Sequence, residues 1–290
     1  MKELQELARK LLTDGTVGVV IGWEEGPRGI RPYFCTRPED ADKLVFTPRC
    51  VHNLATYLSP RRSNVRELGK VAVVVKGCDN KAVAGLVRET QLKREDVVVI
   101  GVRCGGVVLD PYGPAELTAN TVADRCPGCD VREPHNTDHL VGELPPPPPG
   151  EQRTAKLMSE LEKSSPDQRW DFWIEQLSKC VRCNACREVC PMCFCERCLA
   201  DKTQPQWIDS SPHPRGNLAW HLTRAMHQAG RCAGCGECER ACPMDIPLML
   251  LNRKVAQVVA DSWGYKSSED PAVAAPIGTF NKDDPQEFIK

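Results

Sequence analysis

The sequence repeats one four-cysteine pattern, and this repeat limits what the second half of the chain can form more than any other feature does. Each copy reads C-x2-C-x2-C-x3-C-P, and the two copies are offset by 52 residues. The cysteines are Cys180, Cys183, Cys186 and Cys190 in the first copy and Cys232, Cys235, Cys238 and Cys242 in the second. Three thiolates at two-residue gaps can bind one cubane cluster from a single loop, while the fourth reaches a neighbouring cluster. The repeat therefore predicts two [4Fe-4S] clusters rather than zinc, whose ribbons use separate C-x2-C pairs.

The 17 cysteines of the 290-residue chain also indicate metal binding in a reducing compartment. Disulfide frameworks belong to short exported chains, whereas this chain is long enough to bury a core without them. The charges nearly cancel, at 38 Lys and Arg against 39 Asp and Glu, so they do not favour nucleic acid as a partner. No apolar run approaches the roughly 20 residues that span a bilayer, and the first residues lack the apolar region of a secretory signal. We therefore expect a cytoplasmic protein without a membrane span.

The first 142 residues show the alternation of an α/β domain. The pattern predicts an amphipathic helix over residues 4–12 and a strand over 17–21. It predicts a second helix with Thr47 as its N-cap and Pro48 as its first residue, and a buried stripe follows. That stripe consists of Val51, Leu54, Ala55 and Leu58.

A continuous apolar run, Val71–Val75, is typical of a strand covered on both faces. A helical pattern with Val83, Leu86 and Val87 inward follows it, and the next strand is predicted at 97–100. Residues 71–102 therefore form a predicted βαβ unit with parallel strands.

Five consecutive prolines, Pro145–Pro149, divide the chain. Such a run predicts a stiff polyproline spacer and a domain boundary. The predicted organisation is an α/β domain over 1–142, a proline-rich linker and helix start over 143–165, a cluster-binding domain over 166–262, and a loosely held tail over 263–290.

Each copy of the cysteine motif is preceded by a predicted helix. The first begins at Ser165-Pro166 and is expected to bury Trp170, Trp173, Ile174 and Leu177. The second covers 217–229 and is expected to bury Leu218, Leu222, Ala225 and Met226. A third helix is predicted from Pro247 to about residue 260.

Residues 170–260 resemble the bacterial two-cluster ferredoxins, on the strength of the duplicated motif. The resemblance implies a cluster 1 bound by Cys180, Cys183, Cys186 and Cys242, and a cluster 2 bound by Cys232, Cys235, Cys238 and Cys190. The expected fold class is thus an α/β N-terminal domain with a parallel βαβ unit, followed by a mainly helical α+β dicluster ferredoxin-like domain.

Three further cysteines follow the first motif in the segment CPMCFCERC. Cys193, Cys195 and Cys198 have a C-x-C-x2-C spacing that is unusual without a metal. Three interpretations stay open: spare thiols in an insertion, a small zinc knot with one remote ligand, or a third cluster completed by a cysteine from elsewhere. The third is favoured.

Six cysteines precede the proline run. Cys78 and Cys104 follow the two strands of the βαβ unit, so both are expected at the carboxyl edge of the sheet, where α/β proteins place ligands. Helix N-termini stabilise thiolates, which favours Cys78 and Cys50, and CPGC forms a further ligand-type pair. An additional cluster could draw on Cys50, Cys78, Cys104, Cys126 and Cys129, with one left over. The alternative is that these residues are small buried hydrophobic groups, the role expected of Cys35.

The surroundings of these cysteines carry a second resemblance. The segments VAVVVKGCDNKAVAGLVRE and REDVVVIGVRCGG, then CPGC followed by Pro134 and Asp138, resemble the beta subunit of deazaflavin-reducing hydrogenases and its formate dehydrogenase relatives over residues 65–142. The resemblance implies an iron–sulfur protein that passes electrons between clusters and FAD. Two departures are a C-terminal rather than N-terminal ferredoxin module and a short α/β part, and the sequence has no G-x-G-x-x-G fingerprint.

These observations favour an electron-transfer subunit without catalytic residues, because no nucleophile with a base and no pair of catalytic carboxylates is present. Its expected partners are a catalytic subunit of hydrogenase, formate dehydrogenase or heterodisulfide reductase type and a flavoprotein, in an anaerobic or microaerobic cell. One alternative is a flavin-containing oxidoreductase subunit that reduces a deazaflavin or nicotinamide coenzyme. Another is a structural module with zinc at every cysteine site. The tryptophans at 170, 173, 207 and 220 are expected to pack around the cofactors.

Overall fold

The computed structural model describes residues 1–280, 282, 283 and 287. Its N-terminal half is built on one six-stranded sheet of order β2-β1-β4-β5-β6, with β3 paired to β1. The strands are β1 (Val19–Gly26), β2 (Gly29–Cys35), β3 (Leu44–Val45), β4 (Val71–Val75), β5 (Val97–Val102) and β6 (His139–Val141). The β1–β4, β4–β5 and β5–β6 pairs are parallel, whereas β1 pairs antiparallel with β2 and β3.

The helices cover both halves of the chain. They are α1 (Lys2–Thr13), α2 (Ser63–Arg66), α3 (Gly77–Arg88), α4 (Arg153–Lys163), α5 (Pro166–Ser178), α6 (Ala185–Glu188), α7 (Pro214–His227), α8 (Glu237–Arg240) and α9 (Leu248–Trp263). The predicted βαβ unit is β4-α3-β5, and every residue of both strands is buried. Helix α4 and the antiparallel strands were not predicted.

The helix predicted after Thr47-Pro48 is wrong, although its apolar stripe is buried. Residues 47–50 form a turn in which the Cys50 N–H donates to the Thr47 carbonyl at 2.9 Å. The carbonyls of Cys50 and His52 accept hydrogen bonds from the buried Nζ of Lys76 at 3.0 and 2.9 Å, so they do not serve helical bonds. The chain becomes helical only as a 3-10 turn at Leu54–Leu58.

The domain over 166–262 is mainly helical, as predicted, but its expected strands are absent. Its β structure is limited to one isolated bridge between Thr203 and Gln206. Helix α5 begins with a capping box in which the Ser165 hydroxyl accepts from the Gln168 N–H, and the Gln168 side chain accepts from the Ser165 N–H. The domain therefore consists of helices that are joined by the cysteine-bearing loops.

The proline run is extended, but it is not a free spacer. It lies along the loop after β5, where a Cβ added at Gly105 would lie 2.9 Å from Pro145 Cβ and one at Gly106 would lie 3.1 Å from Pro148 Cβ. The Arg132 guanidinium also donates to the Pro145 carbonyl. The run is therefore held against the N-terminal domain by packing that sequence composition does not encode.

The segment that follows α9 is not a loosely held tail. Glu269 is 7% exposed, and its Oε1 accepts from Asn80 Nδ2 at 2.8 Å and from the His135 N–H at 3.1 Å. Tyr265 and Ala275 are buried with Val259 of α9. The segment thus fastens the C-terminal half onto the N-terminal domain. The remainder of the predicted tail, at 281, 284–286 and 288–290, lies outside the described residues.

In the part of the chain that the structure describes, no helix combines the length and apolar character needed to cross a bilayer.

Candidate iron–sulfur sites

The structure brings the eight motif cysteines together as two interleaved groups of four. One narrow cavity, here called site 1, is lined by Cys180, Cys183, Cys186 and Cys242. A second narrow cavity, site 2, is lined by Cys190, Cys232, Cys235 and Cys238. The fourth cysteine of each copy therefore lies with the first three of the other. This arrangement matches the ligand sets that the ferredoxin resemblance implied.

The two cysteine loops have the same backbone conformation at equivalent positions. Arg182 and Gly234, between the first two cysteines of each copy, have φ of 57° and 70°. Asn184 and Gly236, between the second and third, have φ of 61° and 71° and precede the short helices α6 and α8. Such left-handed residues turn successive N–H groups toward the inside of the loop. Accordingly the Arg182 N–H donates to Cys180 Sγ at 3.4 Å.

Burial makes three of the four sulfur atoms of site 2 poor thiolates in the absence of a metal. It raises the pKa of Cys232, Cys235 and Cys238 to about 12 each. At neutral pH a cation must therefore displace the thiol protons, which iron does when it coordinates sulfur. The Nδ2 of Asn252 lies 3.5 Å from Cys238 Sγ and supplies a side-chain hydrogen bond to this group.

Among the described residues, no three Cys, His, Asp or Glu side chains come close enough to bind one metal ion. Groups of four sulfur atoms that surround a shared cavity without meeting at one point suit a polynuclear cluster better than zinc.

A third group of four cysteines lines a cavity of about 570 Å³ at the carboxyl edge of the sheet, here called the edge site. Its cysteines are Cys78, Cys104, Cys126 and Cys129. Cys78 lies in the first turn of α3, directly after β4, and Cys104 follows β5, as the sequence predicted. Two backbone N–H groups point at sulfur: Gly106 N to Cys104 Sγ at 3.3 Å and Val107 N to Cys126 Sγ at 3.4 Å. Burial raises the pKa of Cys104 to about 11.

The edge site omits one of the five cysteines that the sequence suggested for it. Cys50 is fully buried in the turn at 47–50, where its Sγ accepts from the Thr47 N–H at 3.2 Å, and it does not line the cavity. The prediction that it begins a helix is wrong for the reason given above. Cys35 is also fully buried, and its Sγ lies 3.3 Å from the Arg37 carbonyl.

The last three cysteines of CPMCFCERC, Cys193, Cys195 and Cys198, line a separate cavity of about 280 Å³. Cys193 lies beside site 2, where Gln228 Nε2 is 3.6 Å from its Sγ and Gln228 Oε1 is 3.9 Å from Cys190 Sγ. Cys195 is exposed, and Cys198 packs against the core around site 1. The cavity contains His227 but no fourth cysteine, so the structure does not supply the remote cysteine that the favoured interpretation required.

Residues 175–246 match the family model described as 4Fe-4S dicluster domain. This segment is therefore similar to the dicluster domains. The match includes all eight motif cysteines and begins within α5. The prediction of an iron–sulfur protein of the electron-transfer type is therefore confirmed.

Two curated relatives extend the similarity along nearly the whole chain. The F420-dependent formate dehydrogenase subunit beta of Methanocaldococcus jannaschii is 22% identical over 341 aligned positions, which cover 89% of this chain and 88% of that protein. F420-dependent formate dehydrogenase 1 subunit beta of Methanococcus maripaludis is 24% identical over 360 positions, covering 94% and 92%. The resemblance to the formate dehydrogenase beta subunits is confirmed, and it reaches well beyond residues 65–142.

Helix α7 of the dicluster domain buries only part of the predicted face: Ala225 is buried and Leu218 packs against the core around site 1, as expected, but two other residues are exposed. Leu222 and Met226 are 41% and 60% exposed. The buried residues are Gly216, Asn217, Trp220, His221, Arg224 and Ala225. Asn217 Nδ2 donates to the Cys180 carbonyl at 2.8 Å, and Arg224 Nη2 donates to the Cys186 carbonyl at 3.2 Å. The signal that could have found this face is the helical spacing of polar residues at 217, 221, 224 and 228.

The tryptophans fit their prediction only in part. Trp220 is 3% exposed and Trp173 packs against the core around site 1. Trp170 and Trp207, at 56% and 65% exposed, do not pack around the sites. Helix α5 lies at the surface of the dicluster domain, so only its last turn is fully covered: Leu177 is 1% exposed.

Proposed function

We propose that this chain is the iron–sulfur beta subunit of a multisubunit redox complex and relays single electrons through three [4Fe-4S] clusters, held at site 1, site 2 and the edge site. The observation that carries the proposal is the exchange of Cys190 and Cys242 between the two cysteine loops. Such an exchange fixes two clusters side by side in one small domain. Bound there, the clusters would accept and release one electron at a time.

We assign a cluster to the edge site because of the chemical groups that line it. It offers four thiols from three separate loops, N–H donors aimed at sulfur, and the first turn of α3, where the helix dipole favours negative charge. The structural alternative, that these are only small buried side chains, does not account for four thiols that line one open cleft of about 570 Å³.

The three sites follow one another in space. The edge cavity is also lined by Ala233 and Gly234, which belong to the cysteine loop of site 2. Sites 1 and 2 share helix α7 and the loop that contains Cys186 and Cys190. The order is therefore edge site, site 2, site 1, and at site 1 both Cys183 and Val181 are exposed. We assign the exchange of electrons with a partner subunit to the site 1 end.

The partners are proposed from the relatives. Both are beta subunits of F420-dependent formate dehydrogenases. We infer a catalytic subunit of formate dehydrogenase, hydrogenase or heterodisulfide reductase type as one partner and a flavoprotein as the other.

Cys193, Cys195 and Cys198 are proposed as a separate, optional cluster site. Their cavity offers His227 as a non-cysteine neighbour and Arg187, Arg224 and Arg231 as positive charge for an anionic centre. This proposal is independent of the assignment of the other three sites.

A flavin-containing subunit is the second candidate function. The edge cavity favours it, because the cavity is large enough for more than the four sulfur atoms and is lined by basic residues. These are Lys76, Lys81, Arg125, Arg132, Arg253 and Lys266. Flavin released by acid from the anaerobically purified protein would support this candidate. An extract without flavin would contradict it and leave electron relay as the only proposed function.

Counting iron and acid-labile sulfide per chain tests the proposal. About twelve of each are expected for three cubanes, about eight would remove the edge site, and about sixteen would add the optional site. The double variant Cys126→Ala/Cys129→Ala should lower both counts by about four, while Cys50→Ala serves as the matched control from the same half of the chain. Colourless protein without sulfide would overturn the proposal.

A further inference from the structure

Two arginines of this chain, the buried Arg224 and the half-buried Arg125, lie beside the cysteine sites without a carboxylate of their own. Arg224 is 8% exposed, and the Nε atoms of both Arg125 and Arg224 are buried without a hydrogen-bond partner among the described residues. In the same part of the chain, neither side chain takes part in an ion pair with Asp or Glu. Glu237, whose negative charge also acts on Arg125, is itself paired with Arg240 at 2.7 Å. A desolvated cation is costly unless a negative charge lies nearby.

Arg224 lies between site 1 and site 2. Its Nη2 donates to the carbonyl of Cys186, a cysteine of site 1, at 3.2 Å. Its side chain also lines the site 2 cavity. Its electrostatic neighbours are Cys238 and Cys190 of site 2, Cys186 of site 1, and Cys193, which lies beside site 2.

Arg125 has the corresponding position between the edge site and site 2. It lines the edge cavity, and its Nη2 donates to the Val51 carbonyl at 3.0 Å. Its Nη1 lies 3.1 Å from the position that a Cβ would take on Gly236, in the loop between Cys235 and Cys238. Its electrostatic neighbours include Cys78 and Cys126 of the edge site and Cys235 of site 2.

We propose that Arg125 and Arg224 are the fixed counter-charges of consecutive clusters and set the potential at which site 2 accepts an electron. The inference rests on the proposed function, because it presupposes clusters at these sites. Four thiolates around a cubane form an anionic centre, and an added electron makes it more negative by one charge. A guanidinium held nearby in a poorly solvated interior favours that reduced form.

The two arginines lie beside overlapping sets of cluster sites. Site 2 faces both cations, site 1 faces Arg224, and the edge site faces Arg125. The charges of these two arginines therefore give site 2 the highest reduction potential of the three sites, if no other group is considered. An electron from a reduced cluster at the edge site or at site 1 would therefore move to site 2. The donor cluster would be oxidised as the cluster at site 2 is reduced. The guanidinium groups offset the arriving charge and need no proton uptake.

Redox titration of the full-length, anaerobically purified protein, followed by electron paramagnetic resonance, tests the inference. Arg224→Met should lower the midpoint potentials of sites 1 and 2 and leave the edge site unchanged. Arg125→Met should lower those of site 2 and the edge site and leave site 1 unchanged. Arg224→Lys and Arg125→Lys should restore most of the shift. The signal of site 2 is identified by its loss in Cys235→Ala.

Arg215→Met is the matched control, because Arg215 lies on the same helix as Arg224 but is exposed. It should leave all potentials unchanged. Methionine variants with full iron and unmoved potentials would overturn the inference. So would loss of iron in both the methionine and lysine variants, since this would make the arginines cluster-retention residues only. Wild-type protein without iron or sulfide would instead overturn the proposed function itself, so the two failures are distinguishable.

Discussion

Lys76 and Asp79 form a buried ion pair at the end of β4, with Nζ and Oδ2 2.7 Å apart and both side chains at most 2% exposed. Cys78 lies between these two residues in the sequence, so the ion pair fixes the position of the Cys78 sulfur in the edge site. Lys76 Nζ also donates to two carbonyls of the 47–53 segment and lies 4.4 Å from the centre of the Trp23 ring. One side chain thus joins the sheet, the turn at Cys50 and the first turn of α3.

Lys76→Met should destabilise the protein by about 3–5 kcal/mol, because it leaves the Asp79 carboxylate buried and unpaired. The double variant Lys76→Met/Asp79→Asn should recover much of that loss, since it removes the uncompensated charge. Urea denaturation followed by circular dichroism measures both effects. Equal destabilisation by the single and the double variant would contradict the explanation.

Cys190→Ala and Cys242→Ala should each remove the cluster of the other motif copy. We expect each variant to lose about four iron atoms, with Cys190→Ala abolishing the same resonance as Cys235→Ala and Cys242→Ala the same resonance as Cys183→Ala. Cys35→Ala is the control, because that sulfur is buried away from every cavity described here. If Cys190→Ala and Cys183→Ala abolished the same resonance, each copy would bind its own cluster and the interleaved assignment would fail.

His52 should make the protein sensitive to mild acid. Burial lowers the pKa of His52 from 6.5 to about 4, so the unfolded chain binds this proton more readily than the folded chain does. The contribution of His52 to stability is therefore complete above pH 6.5 and declines as the pH falls toward 4. His52→Gln should reduce the drop in urea midpoint between pH 7 and pH 5. An unchanged drop would show that other groups control the acid response.

Glu269→Ala should destabilise the protein by about 1–3 kcal/mol, because it leaves Asn80 Nδ2 and the His135 N–H buried without this acceptor. Limited proteolysis should also cleave the segment after α9 earlier than in the wild type. Val273→Ala is the matched control, since Val273 belongs to the same segment and is 40% exposed. Wild-type resistance and stability in Glu269→Ala would mean that the segment is held by its apolar contacts alone.

The success of the sequence analysis depended on how local each feature is. The βαβ unit was predictable because its strands are buried on both faces and therefore consist of uninterrupted nonpolar residues, mostly valine. The prediction of a helix after Thr47 was wrong because the Lys76 side chain, far along the chain, binds the carbonyls that a helix would use. The predicted buried face of α7 was wrong in part because that face contacts two cysteine loops. It therefore includes Asn217 and Arg224, where an ordinary core would have apolar residues.

The sequence by itself determined the two cysteine loops, since the spacing of three ligands within seven residues is set by the backbone between them. It also determined strands β1, β4 and β5 and the longer helices other than α4, which follow from periodicity and apolar runs. Only the tertiary structure decided that Cys78, Cys104, Cys126 and Cys129 share a cavity without Cys50, and that two arginines lie between consecutive sites. These groups come from loops far apart in the sequence. Their meeting depends on the pairing of β4 with β5 and on the packing of the dicluster domain against the edge of the sheet.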